Sequence, residues 1–227
     1  MMRKICCWVF IVIFVGSLFF VSVTTAEEDI ELEPIADTYI RSTYPDENYG
    51  DEEYLRVGDA RLSNDYIRIT YLLFDLSEIE GSIQEATLKL HLKWSWAARY
   101  IGIHECDDTS WNEDTLTWNN APSYNSEAVD SFNVSRTIQW NEWDATDIAK
   151  GKQGQRVTIV VKARDPVNKI GDWTDFASKE NDRNHPVLVI NQGSGGFSVC
   201  LGTILLCCTI PVLGLGVLSK RIRTKVR

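Results

Sequence analysis

Between Ala86 and Trp96 the even positions are apolar throughout, running Ala86, Leu88, Leu90, Leu92, Trp94, Trp96. The odd positions are Thr87, Lys89, His91, Lys93 and Ser95. A period of two marks a β-strand with one dry and one wet face. The dry face is long enough to need a second sheet against it, and the same register puts Trp94 and Trp96 in the core. Gln155 to Arg164 repeats the pattern, with Val157, Ile159, Val161 and Ala163 inward and Arg156, Thr158, Val160, Lys162 and Arg164 outward. Ile67 to Leu76 sets Ile67, Ile69, Tyr71 and Leu73 on one face. Shorter strands are expected at Ile30–Arg41, Tyr54–Gly58, Arg99–Glu105, Val129–Val134, Thr137–Trp143 and Pro186–Asn191. One helical turn is expected at Asp144–Lys150, capped by Asp144 or Thr146. Nine strands with turn-rich connections and no alternating helices predict an all-β fold, an antiparallel β-sandwich of immunoglobulin or jelly-roll type.

The pattern breaks at both ends. Met1-Met2-Arg3-Lys4 is followed by uncharged Ile5–Val23 and then Thr24-Thr25-Ala26. Residues 1–26 read as a secretory signal cleaved after Ala26, and the length of the apolar run equally fits an uncleaved anchor. Residues 27–191 form the sandwich, and 192–196 (Gln-Gly-Ser-Gly-Gly) a flexible linker. Residues 197–218 are long and apolar enough for a transmembrane helix, and the basic tail 219–227 is expected to stay in the cytoplasm. A sorting signal processed at the cell surface would share that pattern. Either way the domain is expected outside the cell, beside its membrane.

Charge divides the same way. All 32 acidic residues lie between Glu27 and Asp182, whereas seven of the 23 basic residues sit in the terminal segments, so 27–196 carries a net charge of −16. That balance argues against nucleic acid as a partner. Of six cysteines only Cys106 belongs to the exterior stretch, which excludes a disulfide within it.

A set of motifs in order adds to this. Ala36-Asp37-Thr38-Tyr39-Ile40-Arg41, Asn48-Tyr49-Gly50 and Leu55-Arg56-Val57-Gly58 come first, then Tyr71-Leu72-Leu73-Phe74-Asp75-Leu76-Ser77 and Ala86-Thr87-Leu88-Lys89-Leu90. Trp111-Asn112-Glu113, Leu116-Thr117-Trp118-Asn119 and Pro122 follow. Trp143-Asp144-Ala145-Thr146, Asp175-Phe176-Ala177-Ser178-Lys179-Glu180 and Pro186-Val187-Leu188-Val189-Ile190 close the series. Over about Pro34 to Asn191 the chain resembles the DNRLRE domain family, which includes disaggregatase-related proteins of methanogenic archaea. The resemblance implies a jelly-roll carbohydrate-binding module for acidic polysaccharides such as alginate. In many relatives such a module accompanies a catalytic domain, and none is visible in this sequence.

Candidate chemistry follows from both sources. Lys89, His91, Lys93, Lys162, Arg164 and Arg68 point away from the core on strands expected to share one sheet. A row of cations on a rigid sheet matches the repeated charge of a uronate or sulfate polymer. The plainer alternative is a solvated face whose lysines block edge pairing. Asp37, Asn48 and Asp51 with nearby carbonyls are candidate calcium ligands, set against an acidic loop that merely solubilises. His91, His104 and His185 form no transition-metal pattern. Trp111 and Trp118 read as anchors of a long loop. Asn133-Val134-Ser135 is a glycosylation sequon, with Asn133 the acceptor. Carboxylate pairs are too abundant to single out catalytic residues, and no nucleophile elbow or phosphate loop is present. The expected function is therefore a membrane-tethered module, not an enzyme, that holds acidic polysaccharide at the cell surface. A structural or adhesion protein is the alternative, and a polysaccharide-degrading enzyme a more distant one.

Overall fold

The structure is a computed structural model that describes residues 29–58, 66–164 and 173–193. The signal or anchor 1–26 and the membrane segment 197–218 expected from the sequence lie outside the described residues. Among the described residues no helix is long and apolar enough to cross a membrane.

Eleven strands and one short helix are formed among the described residues: β1 (Asp29–Leu32), β2 (Ala36–Arg41), β3 (Tyr54–Val57), β4 (Arg68–Asp75), β5 (Ile83–Ser95), β6 (Arg99–Cys106), β7 (Asp130–Val134), β8 (Trp140–Asp144), α1 (Thr146–Gly151), β9 (Arg156–Ala163), β10 (Thr174–Ala177) and β11 (Val187–Gln192). They make two antiparallel sheets. The first runs β1-β11-β5-β10-β3, with β8 also on β5; the second runs β2-β4-β9-β6-β7. Every connection except β6–β7 and β10–β11 crosses between sheets. The stretch Ile30–Arg41, expected as one strand, is two strands in different sheets. Residues 33–35 make that crossover, with Pro34 at its centre, where it can donate to no ladder. The four-residue β10 was not foreseen; Thr174-Asp175-Phe176-Ala177 is too short to show a period.

The main core lies between the sheets. From β5 come Ala86, Leu88, Leu90 and Leu92, from β4 Leu72 and Phe74, and from β9 Val157, Ile159, Val161 and Ala163, the inward set that alternation predicts. Trp143 sits fully buried among them, its indole N–H donating to the Ile101 carbonyl at 2.9 Å. A second, smaller core covers the outside of the second sheet. There Ile40, Ile69, Tyr71 and Val160 pack under Trp111, Leu116, Trp118 and Tyr124 of the loop between β6 and β7. Trp111 is fastened by its N–H to Thr158 Oγ1 at 3.0 Å, and so anchors the loop as expected. The lone Cys106 is buried and reduced beneath it.

The register of β5 is where alternation misleads. Against β10, Asp175 pairs with Trp94 but the next residue, Phe176, pairs with Leu92, so Lys93 is an extra residue, a β-bulge. One inserted residue reverses the faces beyond it. Ser95 therefore turns inward and is buried, while Trp94 and Trp96 emerge at 40% and 53% exposure. The expectation that both indoles pack in the core is corrected by this bulge.

Candidate functional site

The two indoles that the bulge turns outward are the start of a larger surface. Asp175 on β10 pairs with Arg56 on β3 and with Trp94 on β5, so the three side chains stand in one row across the first sheet. Arg56 donates Nε and Nη2 to the two Asp175 oxygens at 2.7 and 3.0 Å, a bidentate fork. Burial opposes the Arg56 charge, but this fork and the Asp175 charge hold its pKa above the ordinary value. Trp173 donates its indole N–H to the same carboxylate at 3.2 Å. Its ring lies 5.5 Å from Trp94, which is 5.3 Å from Trp96.

Across the corner where the sheets meet, Gly58 bridges Arg68, and Arg68 stands opposite Arg41 in the β2–β4 register. The Arg68 guanidinium lies 5.0 Å from the centre of the Trp173 ring and that of Arg56 lies 4.9 Å from it, so two cations share one indole. Arg56 also lies 4.5 Å from the Tyr54 ring, Tyr54 and Tyr49 stack on Tyr39, and Arg41 rests 4.4 Å over Tyr44. The result is a crescent of arginines interleaved with aromatic rings.

The crescent is short of negative charge. Arg68 is only 3% exposed, and burial followed by the Arg41 and Arg56 charges pushes its pKa down to about 10. The Nε atoms of Arg41 and Arg68 are buried without a hydrogen-bond partner. Like charges directly across an antiparallel pair destabilise it, and an uncompensated buried cation is costly. Glu47, the other carboxylate bonded into the crescent among the described residues, accepts the Tyr49 hydroxyl rather than an arginine.

The six cations singled out from the sequence are not one row. Lys89, His91 and Lys93 are on β5 of the first sheet, whereas Lys162 and Arg164 belong to β9 and its end in the second, on the opposite outside of the sandwich. Arg68 belongs to neither face and joins the crescent. The β5 cations are locally matched: Lys89 pairs with Glu142 at 3.3 Å, and Lys93 donates to the Glu53 carbonyl at 3.2 Å. His91 meets the exposed Trp140 ring edge to face at 5.2 Å, and burial lowers its pKa. On the other side, Lys162 and Arg164 line a groove of about 420 Å³ with His104, Glu127 and Ser131, and Arg164 donates to the Ser131 hydroxyl at 3.1 Å. Asn133 is exposed on the edge strand β7.

The three calcium candidates have different settings. Asn48 donates to the carbonyls of Glu113 and Leu116 at 2.6 and 2.8 Å and accepts from the Gly50 N–H at 3.1 Å, so it stitches two loops together. Gly50 lies in that seam, where a Cβ would come within 2.8 Å of the Glu113 carbonyl oxygen. Asp51 is exposed and outside the carboxylate cluster that does form. That cluster is Asp37, Glu113 and Glu180, one oxygen of each lying within 4.8 Å of the others. Lys179 reaches both Glu113, at 3.0 Å, and Glu180. Sequence reasoning found Asp37 but neither glutamate, and it missed Arg56 and Trp173 in the crescent. Arg56 could have been suspected from its place between Leu55 and Val57, which forces it onto the opposite face.

A β-sandwich that shows solvent an aromatic platform rimmed by hydrogen-bonding cations has the form of a carbohydrate-binding module. The chain belongs to carbohydrate-binding module family 96, whose model matches residues 28–192. It is 28% identical over 172 residues to a gellan lyase of a Bacillus species. That match takes in 71% of this chain but 7% of the lyase, so the chain corresponds to a small part of that protein. Among solved structures, the N-terminal CBM22-1–GH10 modules of Clostridium thermocellum endo-1,4-beta-D-xylanase 10B, complexed with xylohexaose, give a TM-score of 0.30 at 11% identity. The superposition covers 74% of this chain and 30% of the xylanase chain.

Proposed function

We propose that this module binds an acidic polysaccharide in the crescent, sugar rings lying on Trp94, Trp96 and Trp173 and their carboxylate or sulfate groups meeting Arg68 and Arg41. The observation that carries this reading is Arg68, a buried guanidinium that no carboxylate among the described residues bonds, set against exposed indoles. An indole offers an apolar body with a polar tip, and a guanidinium offers a planar fork that fits a carboxylate. The similarity to a protein named for gellan makes gellan the first polymer to test. The motif series resembling the DNRLRE family supports the same class of ligand. The apolar segments Ile5–Val23 and 197–218 support display on the outer surface of a membrane, where the module would hold matrix or envelope glycan.

Affinity electrophoresis of the full chain in detergent, through gels containing gellan, alginate or neutral xylan, tests the reading. Retardation by the acidic polymers, weakened by salt and abolished in Trp94→Ala, is expected. Equal retardation by xylan, or an unchanged Trp94→Ala, refutes it. Loss in Lys162→Ala alone would place the site in the groove on the second sheet.

A further inference from the structure

Asp37, Glu113 and Glu180 come from three distant segments: β2, the loop after β6, and the turn after β10. Their carboxylates converge, with one oxygen of each within 4.8 Å of the others. Among the described residues one ammonium pairs with the cluster, that of Lys179, which reaches Glu113 and Glu180. Asp37 is 1% exposed; its Oδ2 accepts the Lys179 backbone N–H at 2.8 Å, while its Oδ1 is buried with no donor. The Glu180 Oε2 atom is likewise buried and unpartnered. Buried carboxylate oxygens ordinarily find donors. Two that do not, on neighbouring members of one cluster, leave lone pairs for a ligand that carries positive charge and is coordinated by oxygen.

We propose that Asp37, Glu113 and Glu180 bind a hard divalent cation, calcium, which joins β2 to the loop and turn packed against it. Oxygen-only donors suit calcium, whose variable coordination tolerates carboxylates delivered by loops. Lys179 offsets one of three negative charges, and calcium balances the remaining two. Burial, and the repulsion of Glu180 and Glu113, raise the pKa of Asp37, and burial raises that of Glu113, in both cases against the opposing effect of Lys179. The proposal is independent of the sugar-binding reading.

The test is calorimetric titration of calcium chloride into the EDTA-treated full chain, with urea unfolding at about 5 mM calcium and in EDTA. Extracellular modules bind calcium with Kd of about 10⁻⁴ M to 10⁻³ M. Saturation should then raise the folding equilibrium constant about tenfold. Asp37→Asn and Glu180→Gln should each lose that response. Glu180 is at the edge of the cluster, so Glu180→Gln decides the question if Asp37→Asn does not fold. No calcium heat in the parent chain overturns the proposal, as does an undiminished response in Glu180→Gln. A folded Asp37→Asn that is more stable than the parent, in a parent indifferent to calcium, also overturns it and identifies Asp37 as a neutral carboxyl.

Discussion

Asp37 and Arg41 stand four residues apart on one face of β2, with Tyr39 between them, yet their surroundings hold opposite excesses of charge. Around Asp37 three carboxylates have one lysine beside them; around Arg41 the charges of Arg41, Arg56 and Arg68 gather, and Asp175 bonds Arg56 alone of the three. The cluster is half-buried around a buried Asp37, whereas the crescent opens onto solvent through Trp94 and Trp96. Burial penalises both excesses, so neither is there for stability alone. An excess of charge inside a fold is better read as a demand for an ion of opposite sign, and the two differ in what can reach them. A tight, half-buried cluster admits an ion, and an open platform admits a polymer.

The largest expected effect would break the crescent. Arg56→Ala leaves Asp175 uncompensated under Trp173 and should cost about 2 kcal/mol, less than the loss of a fully buried pair, as read by urea unfolding. Polymer retardation should vanish with it. Arg68→Met then separates the two roles of that region. Removing a buried cation that bonds no carboxylate should leave stability unchanged or raised by about 1 kcal/mol, while polymer affinity falls about tenfold. A variant that loses stability and keeps affinity would reverse the argument.

The acidic side is sharpened by pH. The carboxyls of Asp37 and Glu113 are held above their ordinary values of 3.8 and 4.5, chiefly by burial, so on acidification the folded chain takes up protons before the unfolded chain does. Their ionisation lowers stability at neutral pH, and that penalty is relieved as pH falls through the raised values. Hydrogen bonds from Ser77, Ser110 and Thr146 hold Asp75, Asp108 and Asp144 below their ordinary range, and what these add is lost only on further acidification. The urea midpoint should therefore rise from about pH 7 to about pH 5 and fall below about pH 4. Asp37→Asn should flatten the rise, and calcium should do the same by favouring the ionised forms. The smallest effect is at Lys89. Its pair with Glu142 is exposed, so Lys89→Ala should change stability by less than about 0.5 kcal/mol and leave retardation unchanged.

These contrasts show why part of the molecule could be read from its residues. The dry faces of β5 and β9 are local patterns, and they specified the core and the sandwich. Which sheet a strand joins is not local: β5 and β9 alternate alike, so Lys89 and Lys162 looked like neighbours although a whole core separates them. The carboxylate cluster is less visible still, since Asp37 meets Glu113 across 76 residues and Lys179 across 142. Nothing in either neighbourhood announces the other. The loop anchor was legible because Trp111 and Trp118 are large rings in a stretch without strand pattern, and such rings must be buried somewhere.

The bulge at Lys93 behaves like a shift of reading frame. Side chains along a strand are read in twos, and one added residue re-reads everything downstream in the opposite sense. Deleting Lys93 would remove the bulge yet leave Trp94 opposite Asp175 and the indoles outward, whereas straightening the strand without a deletion would exchange Ser95 for indoles on the inner face. Whether the strand is bulged at that point thus decides whether the aromatic platform is withdrawn or presented. A lineage of such modules can change its ligand surface by a step that leaves its composition almost untouched.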